Sequence, residues 1–312
     1  MDVMVLIMAV IASALRLATP LIFASIGGVF TERSGVVNIA LEGIMIMGAF
    51  FAILGTYLTG SAFVGVLFAI VMGIATSLIL AVLAVHLRAD QVVAGTAINM
   101  LAAALTAFFL EIVWHRSGQT DPVGQSLTAN PLEFLEGIPV LGQLFEGLNI
   151  FVYLAFVAVG IAYYVLFKTP FGLRVRAVGE HPKAADTVGI NVYKIRYYCV
   201  MISGAMAGIA GAALSLGTVN LFREGMISGK GFIALAAMIF GKWHPVGALL
   251  ASLFFGLAEA IQIQASSLGL SGVPSEFLQM LPYVATILAL AGLVGRAVAP
   301  KASGQPYEKG HR

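Results

Sequence analysis

Apolar runs of roughly 20 residues, the length a helix needs to cross a bilayer, recur along this chain near residues 4 to 27, 35 to 55, 61 to 86, 92 to 113, 148 to 167, 197 to 218, 245 to 265 and 278 to 296. A shorter apolar run covers 228 to 241. The pattern predicts an all-α fold, a polytopic transmembrane helical bundle of about nine spans, within bounds of about eight to ten. It reads as a single multi-pass transmembrane domain over 1–312. Met1 and Asp2 lead straight into VMVLIMAVIASAL without the basic leader of a cleavable signal.

The polar interruptions between the runs set the orientation. Residues 114 to 148 contain Arg116 as their only Lys or Arg, beside Asp121, Glu133, Glu136 and Glu146. Residues 168 to 196 instead carry Lys168, Arg174, Arg176, Lys183, Lys194 and Arg196, and the tail from about 297 to 312 carries Lys301, Lys309 and Arg312. Basic loops stay in the cytoplasm. The loop 114–148 is therefore expected outside, with the segment 168–196 and the C-terminus inside. Counting back puts Arg88 and Arg33 inside and Met1 outside, unless a break at Thr19-Pro20 splits the first run and reverses the N-terminal side.

Several runs are too interrupted for plain anchors. Gly27-Gly28, Ser34-Gly35, Gly43, Gly48, the stretch GTVNLFREGMISGKGF from Gly217 to Phe232, and His244-Pro245 place helix breakers and polar groups within apolar sequence. Irregular backbone at membrane depth survives only where protein or a water-filled cavity satisfies it. Broken or re-entrant helices are thus expected, and they favour a transport path. The GAMAG stretch, Gly204 to Gly208, reads as a small-residue helix contact.

Composition agrees with a bilayer as solvent: 60% of the 312 residues are hydrophobic and 10% charged, and mean hydropathy is +0.97. The net charge of +2 gives no reason to expect nucleic acid. A single cysteine, Cys199, excludes an internal disulfide and a multi-thiolate metal site.

Against this background, charges inside the spans are informative, because each costs about 2.5–3.5 kcal/mol or more at the bilayer centre unless it faces the interior or lies near an end. Arg16 and Glu111 fall near ends, whereas Glu42 and Glu259 fall deeper. Asn38 and Glu42, four apart, would share a helical face. With Asn99 and Gln262 they form the candidate substrate path: Asn38, Glu42, Asn99, Glu259 and Gln262. Amides and carboxylates in a cavity suit a neutral, hydroxyl-rich solute, while interhelical hydrogen bonding would explain each of them equally well.

Catalytic constellations are missing from the sequence. GMISGK, Gly225 to Lys230, has one residue too few between its glycines for a phosphate loop and no following Ser or Thr. The histidines are scattered, with no metal-binding spacing. Neither a nucleophile elbow nor paired aspartate motifs occur. The chain reads as a transport subunit without an enzymatic centre and with no metal site.

The basic segment carries a more specific signal. Pro170 and Phe171-Gly172 end the incoming span, and GEHPKAADTVGI then supplies a proline at a helix start, an Ala-rich turn and a Gly189 stop. A short helix across the cytoplasmic end of the bundle is expected, with Ala184, Ala185, Val188 and Ile190 available to a partner's groove.

ERSGVVNIALEG (Glu32 to Gly43), LRVRAVGEHPKAADTVGINV (Leu173 to Val192) and GKGFIALAAMIFGKWHPVGALLASLFFG (Gly229 to Gly256) resemble the permease subunits of ABC importers for branched-chain amino acids, simple sugars and nucleosides. The first motif is most similar to the nucleoside and simple-sugar branch, in particular the shorter of two non-identical permeases, and it lacks the GGIDLS-type element of the sugar permeases. The resemblance implies alternating access to a nucleoside or related simple sugar. It also implies a cytoplasmic ABC ATPase as motor, a second and non-identical permease, and an extracytoplasmic substrate-binding protein. ATP and magnesium would then sit on the ATPase, leaving this chain without a cofactor. The coupling helix of that family matches Gly179, Glu180, His181, Pro182, Ala184, Ala185 and Gly189, which would seat in an ATPase cleft. An ion-coupled secondary transporter is the alternative suggested by Glu42, Glu259 and the broken helices; the basic docking segment and the lack of a clear inverted repeat weigh against it.

Overall fold

The computed structural model describes residues 3–131, 145, 147–265, 277, 280, 284 and 298–309. The described residues form helices α1 (Val3–Arg33), α2 (Leu41–Thr59), α3 (Ala62–Ala81), α4 (Gln91–Trp114), α5 (Ile150–Lys168), α6 (Pro170–Glu180), α7 (Pro182–Thr187), α8 (Val192–Leu214), α9 (Lys230–Phe240) and α10 (Pro245–Ile263). Wider π-type turns extend α3 over Val82–His86 and α8 over Ser215–Val219. Seven of these segments are long and apolar enough to span a membrane, and α9 is a shorter apolar helix. The expected last span, 278 to 296, lies mostly outside the described residues.

Local chemistry explains where the helices begin. Asp90 accepts hydrogen bonds from the amides of Val92 and Val93 at the start of α4, both 2.9 Å. Asn149, Thr169 and Asn191 cap α5, α6 and α8 in the same way. Pro170, Pro182 and Pro245 occupy first turns, where a missing N–H removes no helical bond.

Two expectations change. Pro20 sits inside one continuous helix of 31 residues, so the split first run and its reversed N-terminus fail; neighbouring helices bury this stretch completely from Ala18 to Phe30. The second run does not start as a helix at 35: residues 34 to 40 are irregular and α2 begins at Leu41. Asn38 therefore precedes the helix and shares no helical face with Glu42.

The core runs along α1, α2, α3 and α8, where small residues let backbones touch. A Cβ on Gly48 of α2 would stand 2.6 Å from the carbonyl oxygen of Gly208 on α8. Gly204 and Gly208 in turn face Gly73, Ser77 and Ala69 of α3, so the GAMAG stretch is packing. Outward faces of α3, α4 and α5 expose Phe63, Leu67, Met100, Phe108 and Ile161, as a lipid-facing surface requires.

The two ends of the bundle differ in chemistry. At one end Arg33, the loop at Arg88, helices α6 and α7 and the segment 298–309 come together: the Ala302 amide donates to the Gly179 carbonyl at 2.8 Å and Arg88 pairs with Glu308 at 2.7 Å. At the other end the loop after α4 lies along the segment after α8, through Thr120 to Phe222, Val123 to Asn220 and Glu224 to Gly118. By the positive-inside rule the basic end is the one expected in the cytoplasm, with the start of α1 then on the outer side. From that side the chain after α8 turns back into the bundle and re-enters a helix only at Lys230, so α9 is a half-span, and the turn that follows it reaches Arg33 at Trp243.

Candidate functional site

Two regions concentrate chemistry: the depth at which α2 and α9 both begin, and the cytoplasmic face of α6, α7 and the tail.

At mid-depth, the first turn of α9 presents backbone N–H groups that no residue of the helix itself can satisfy. Glu42, in the first turn of α2, supplies the acceptors. Its Oε1 receives the Gly229 amide at 2.8 Å and its Oε2 the Gly231 amide at 2.7 Å. A negative charge at a helix N-terminus is favourable, which explains why a carboxylate is tolerated here. A Cβ on Gly231 would stand 2.5 Å from the Glu42 Cα, so glycine is required for this approach. Gly229 reaches its position with φ +82°.

Beside this cap, Lys230 Nζ binds both carboxylate oxygens of Glu259 on α10, at 2.6 and 2.7 Å. Their side chains are 11% and 25% exposed, so the pair is mostly withdrawn from solvent. Lys230 is the residue that sequence reading missed. It stands at the edge of a run and was absorbed into a breaker-rich stretch, although the need for a cation to neutralise Glu259 could have pointed to it.

The amides brace the same level. Asn99 on α4 accepts from the Gly43 amide at 2.7 Å and donates to the Ile39 carbonyl at 3.0 Å. Gln91 accepts from the Val37 amide at 2.7 Å. Asn38 is fully buried and donates to Ser203 Oγ at 3.0 Å. Thus Asn38, Glu42 and Asn99 converge on the entry to α2, and Glu259 joins through Lys230. Gln262, half-buried near the end of α10, stands apart from them. Glu111 is exposed in the last turn of α4, as expected for a charge near a helix end, whereas Arg16 falls near the middle of the continuous helix α1, where it donates to the Ser13 hydroxyl and toward the Gly147 carbonyl.

On the cytoplasmic side, α7 is a single turn and a half running from Pro182 to Thr187, closed by Gly189 at φ +84°. Glu180, His181, Ala184 and Gly189 are exposed, and Val188 is 75% exposed. Gly179 and Ala185 are placed differently. Ala185 is only 4% exposed, packed inward, and Gly179 backs onto the Arg33 carbonyl with no room for a side chain. These two hold α7 to the bundle, so its outward surface is made by Ala184 and Val188 with Glu180, His181 and Lys183. A cleft of about 450 Å³ separates α7 from the tail, lined by His181, Lys183 and Ala184 on one side and Lys301 and Gln305 on the other.

Closer to the bundle, Trp243 Nε1 donates to Glu32 at 2.5 Å and Arg33 Nε donates to the Trp243 carbonyl at 2.8 Å. The end of α9 is thereby tied to the end of α1. His244 lies against the Tyr163 and Phe167 rings; burial, reinforced by the Arg33 charge, holds its pKa below the ordinary imidazole value. Tyr307 in the tail meets Asp186 of α7, and burial together with that carboxylate pushes its phenol up to about 12.

The profile of the family described as branched-chain amino acid transport system / permease component matches residues 10–295. The chain belongs to this permease family. Two curated relatives match it along essentially their whole length: the guanosine ABC transporter permease protein NupQ of Bacillus subtilis, 47% identical over 100% of both chains, and the nucleoside ABC transporter permease protein NupC of Lactococcus lactis, 44% identical over 99% of both. A putative glucose ABC transporter permease protein of Haloferax volcanii, TsgC13, is 33% identical over 95% of this chain and 96% of its own. A further relative, the guanosine ABC transporter permease protein NupP of B. subtilis, is 27% identical over 92% of this chain and 84% of its own. The permease is accordingly a subunit of an ABC importer, a multi-pass protein of the plasma membrane, and the chemistry of ATP hydrolysis is not its own task.

Proposed function

We propose that this permease forms, with a second and non-identical permease, the path by which a nucleoside crosses the membrane, and that a separate ABC ATPase drives it through α7. The observation that carries the nucleoside assignment is the full-length similarity to permeases described as guanosine and nucleoside transporters, at 47% and 44% identity, against 33% for the glucose relative. Two B. subtilis relatives, NupQ and NupP, are both described as guanosine permeases and match this chain at very different identities, 47% and 27%. That difference supports a heterodimer in which this chain takes the NupQ-like place.

The mechanism follows from the two regions. ATP and magnesium belong to the motor, and closure of the ATPase pair presses on Ala184 and Val188. Displacement of α7 passes to the ends of α1 and α9, which Glu32, Arg33 and Trp243 hold together. At mid-depth the carboxylate of Glu42 keeps α9 registered against α2, while the Lys230–Glu259 pair lies where the re-entrant segment meets α10. A neutral, hydroxyl-rich solute is suited to exchange hydrogen bonds with such groups without bringing an uncompensated charge into the membrane. An extracytoplasmic binding protein would deliver the solute to the outer side.

The test is uptake by proteoliposomes holding both permeases and the ATPase, supplied with the binding protein and labelled guanosine. Uptake that needs internal ATP, is displaced by unlabelled nucleosides and is indifferent to glucose supports the proposal. Displacement by glucose but not by nucleosides would move the permease to the sugar carriers.

A further inference from the structure

Arg196 lies in the first turns of α8 and is fully buried, with 0% of its surface exposed. Among the described residues no carboxylate pairs with it. Its guanidinium is instead spent on backbone: Nε donates to the Ser34 carbonyl at 3.2 Å and Nη1 to the Gln305 carbonyl at 3.0 Å, while Nη2 is buried without a hydrogen-bond partner. A buried cation with an incomplete set of acceptors is unfavourable on its own account, so what it joins is the informative part. It joins the turn that follows α1 to the tail.

The tail continues the connection in both directions. Within four residues, the Ala302 amide donates to the Gly179 carbonyl at 2.8 Å and the Gly304 amide to the Gly35 carbonyl at 3.2 Å. Gly35 has φ +91°, and a Cβ there would stand 2.9 Å from Arg196 Nη2 and 3.0 Å from the Ala302 carbonyl oxygen. Further along, Tyr307 is 5% exposed and meets Asp186 on α7, and the Tyr193 hydroxyl donates to the Tyr307 carbonyl at 3.4 Å. Residues 302 to 307 thus touch α7, the α6–α7 junction, α8 and the turn at Ser34-Gly35. From Gly35 the chain runs through the irregular residues up to 40 into the first turn of α2, where the Glu42 carboxylate holds Gly229 and Gly231 at the start of α9.

We propose that Arg196 is a positioning residue for transport, fastening the C-terminal tail as a strap that makes α7 and the segment from Ser34 to Glu42 move as one body. The inference rests on the reading of α7 as the element the ATPase pushes. Without the strap, α7 would be held by α6, the buried Ala185 and the start of α8, and its displacement would reach the ends of α1 and α9 without engaging the segment from Ser34 to Glu42. With the strap, the same displacement reaches the cap of the half-span α9. Close-packed contacts of this kind transmit movement because they do not compress.

The experiment uses the whole importer, both permeases with the ATPase, in lipid nanodiscs. Nitroxide labels at Leu58→Cys on the outer end of α2 and Ile263→Cys on the outer end of α10, both exposed at 63% and 61%, report the outer opening by electron–electron resonance. The native Cys199 is buried. ATP hydrolysis is read in parallel. Trapping the ATPase with ATP and vanadate should change the label distance in the parent protein. In Arg196→Lys, which keeps the charge and loses the fork, and in a chain ending before residue 298, hydrolysis should persist while the fraction of complexes showing the change falls about tenfold. A bifunctional thiol cross-linker joining Arg88→Cys to Glu308→Cys, which replaces the ion pair and locks the tail down, should leave the distance change intact. The proposal is overturned if Arg196→Lys and the shortened chain both keep the full change, or if the locked tail blocks it, since the tail would then have to leave its place for transport. Val188→Asp separates this from failure of the α7 reading. If that variant still assembles and couples normally, α7 is not the docking element; if it blocks assembly while the strap variants stay coupled, the strap alone is refuted.

Discussion

Glu42 and Val188 stand at opposite extremes of the same subunit. Around Glu42 most polar groups have found a partner inside the protein: two amides on one carboxylate, two bonds on Asn99, and a cation on Glu259, with the buried Asn38 Oδ1 the exception. Around Val188 the reverse holds, with an apolar side chain 75% exposed beside Lys183, His181 and Glu180. The membrane interior must be closed because an unmet polar group there has no water to turn to. On the proposed function, the cytoplasmic face can stay open because the ATPase would complete it. The contrast separates residues whose change breaks the fold from residues whose change breaks only the connection to the motor.

The largest effect is expected from Val188→Asp, which puts a charge where an apolar contact is wanted. Uptake should disappear while the purified permease keeps its unfolding temperature in detergent; a lowered melting temperature would show that Val188 packs within the subunit. Glu42→Ala removes both acceptors at the start of α9 and should destabilise by about 3 kcal/mol. Glu42→Gln, which keeps one acceptor, should fall between the two, and denaturation of the three proteins orders them. Lys230→Met leaves Glu259 without its cation, at a cost of about 3 kcal/mol, and adding Glu259→Met should restore most of the loss. A double-mutant cycle with no coupling between the two positions would mean that the ion pair is not formed in the membrane.

The smallest effect belongs to His244. Its folded pKa is depressed, so above the ordinary value near 6.5 both folded and unfolded forms are neutral and pH has no influence through this group. As pH falls from there toward the lower folded value, the unfolded chain binds the proton first and stability declines. His244→Phe should flatten that part of the stability curve between pH 7 and 5; an unchanged slope would assign it to other groups.

Much of this contrast was legible before the structure. The spans follow from run length, and α7 from Pro182 and Gly189, because proline at a first turn and a glycine stop are local signals. The starts of α4 and α8 are also set locally, by the caps Asp90 and Asn191, although run length alone began the second of these spans five residues late, at 197. What escaped is non-local. Nothing near Glu42 in the chain announces that Gly229 and Gly231, almost 190 positions away, would bind its carboxylate. Arg196 looks like one more charge in a basic loop until the fold buries it. Asn38 shows the limit of periodicity: a spacing of four implies a shared face only where the residues are helical, and residues 34 to 40 are not. Ala185 shows the same for a short amphipathic helix, whose inner and outer faces composition cannot distinguish.

The central claim is that a separate ATPase moves this bundle through α7, and the most direct measurement is ATP hydrolysis and guanosine uptake followed together in proteoliposomes with intact and Val188→Asp permease. The account predicts ATP-dependent uptake in the first, unaffected by collapse of ion gradients, and in the second both uptake and stimulated hydrolysis lost from a correctly inserted protein. Uptake that persists in Val188→Asp, or that runs on an ion gradient without the ATPase, would contradict it.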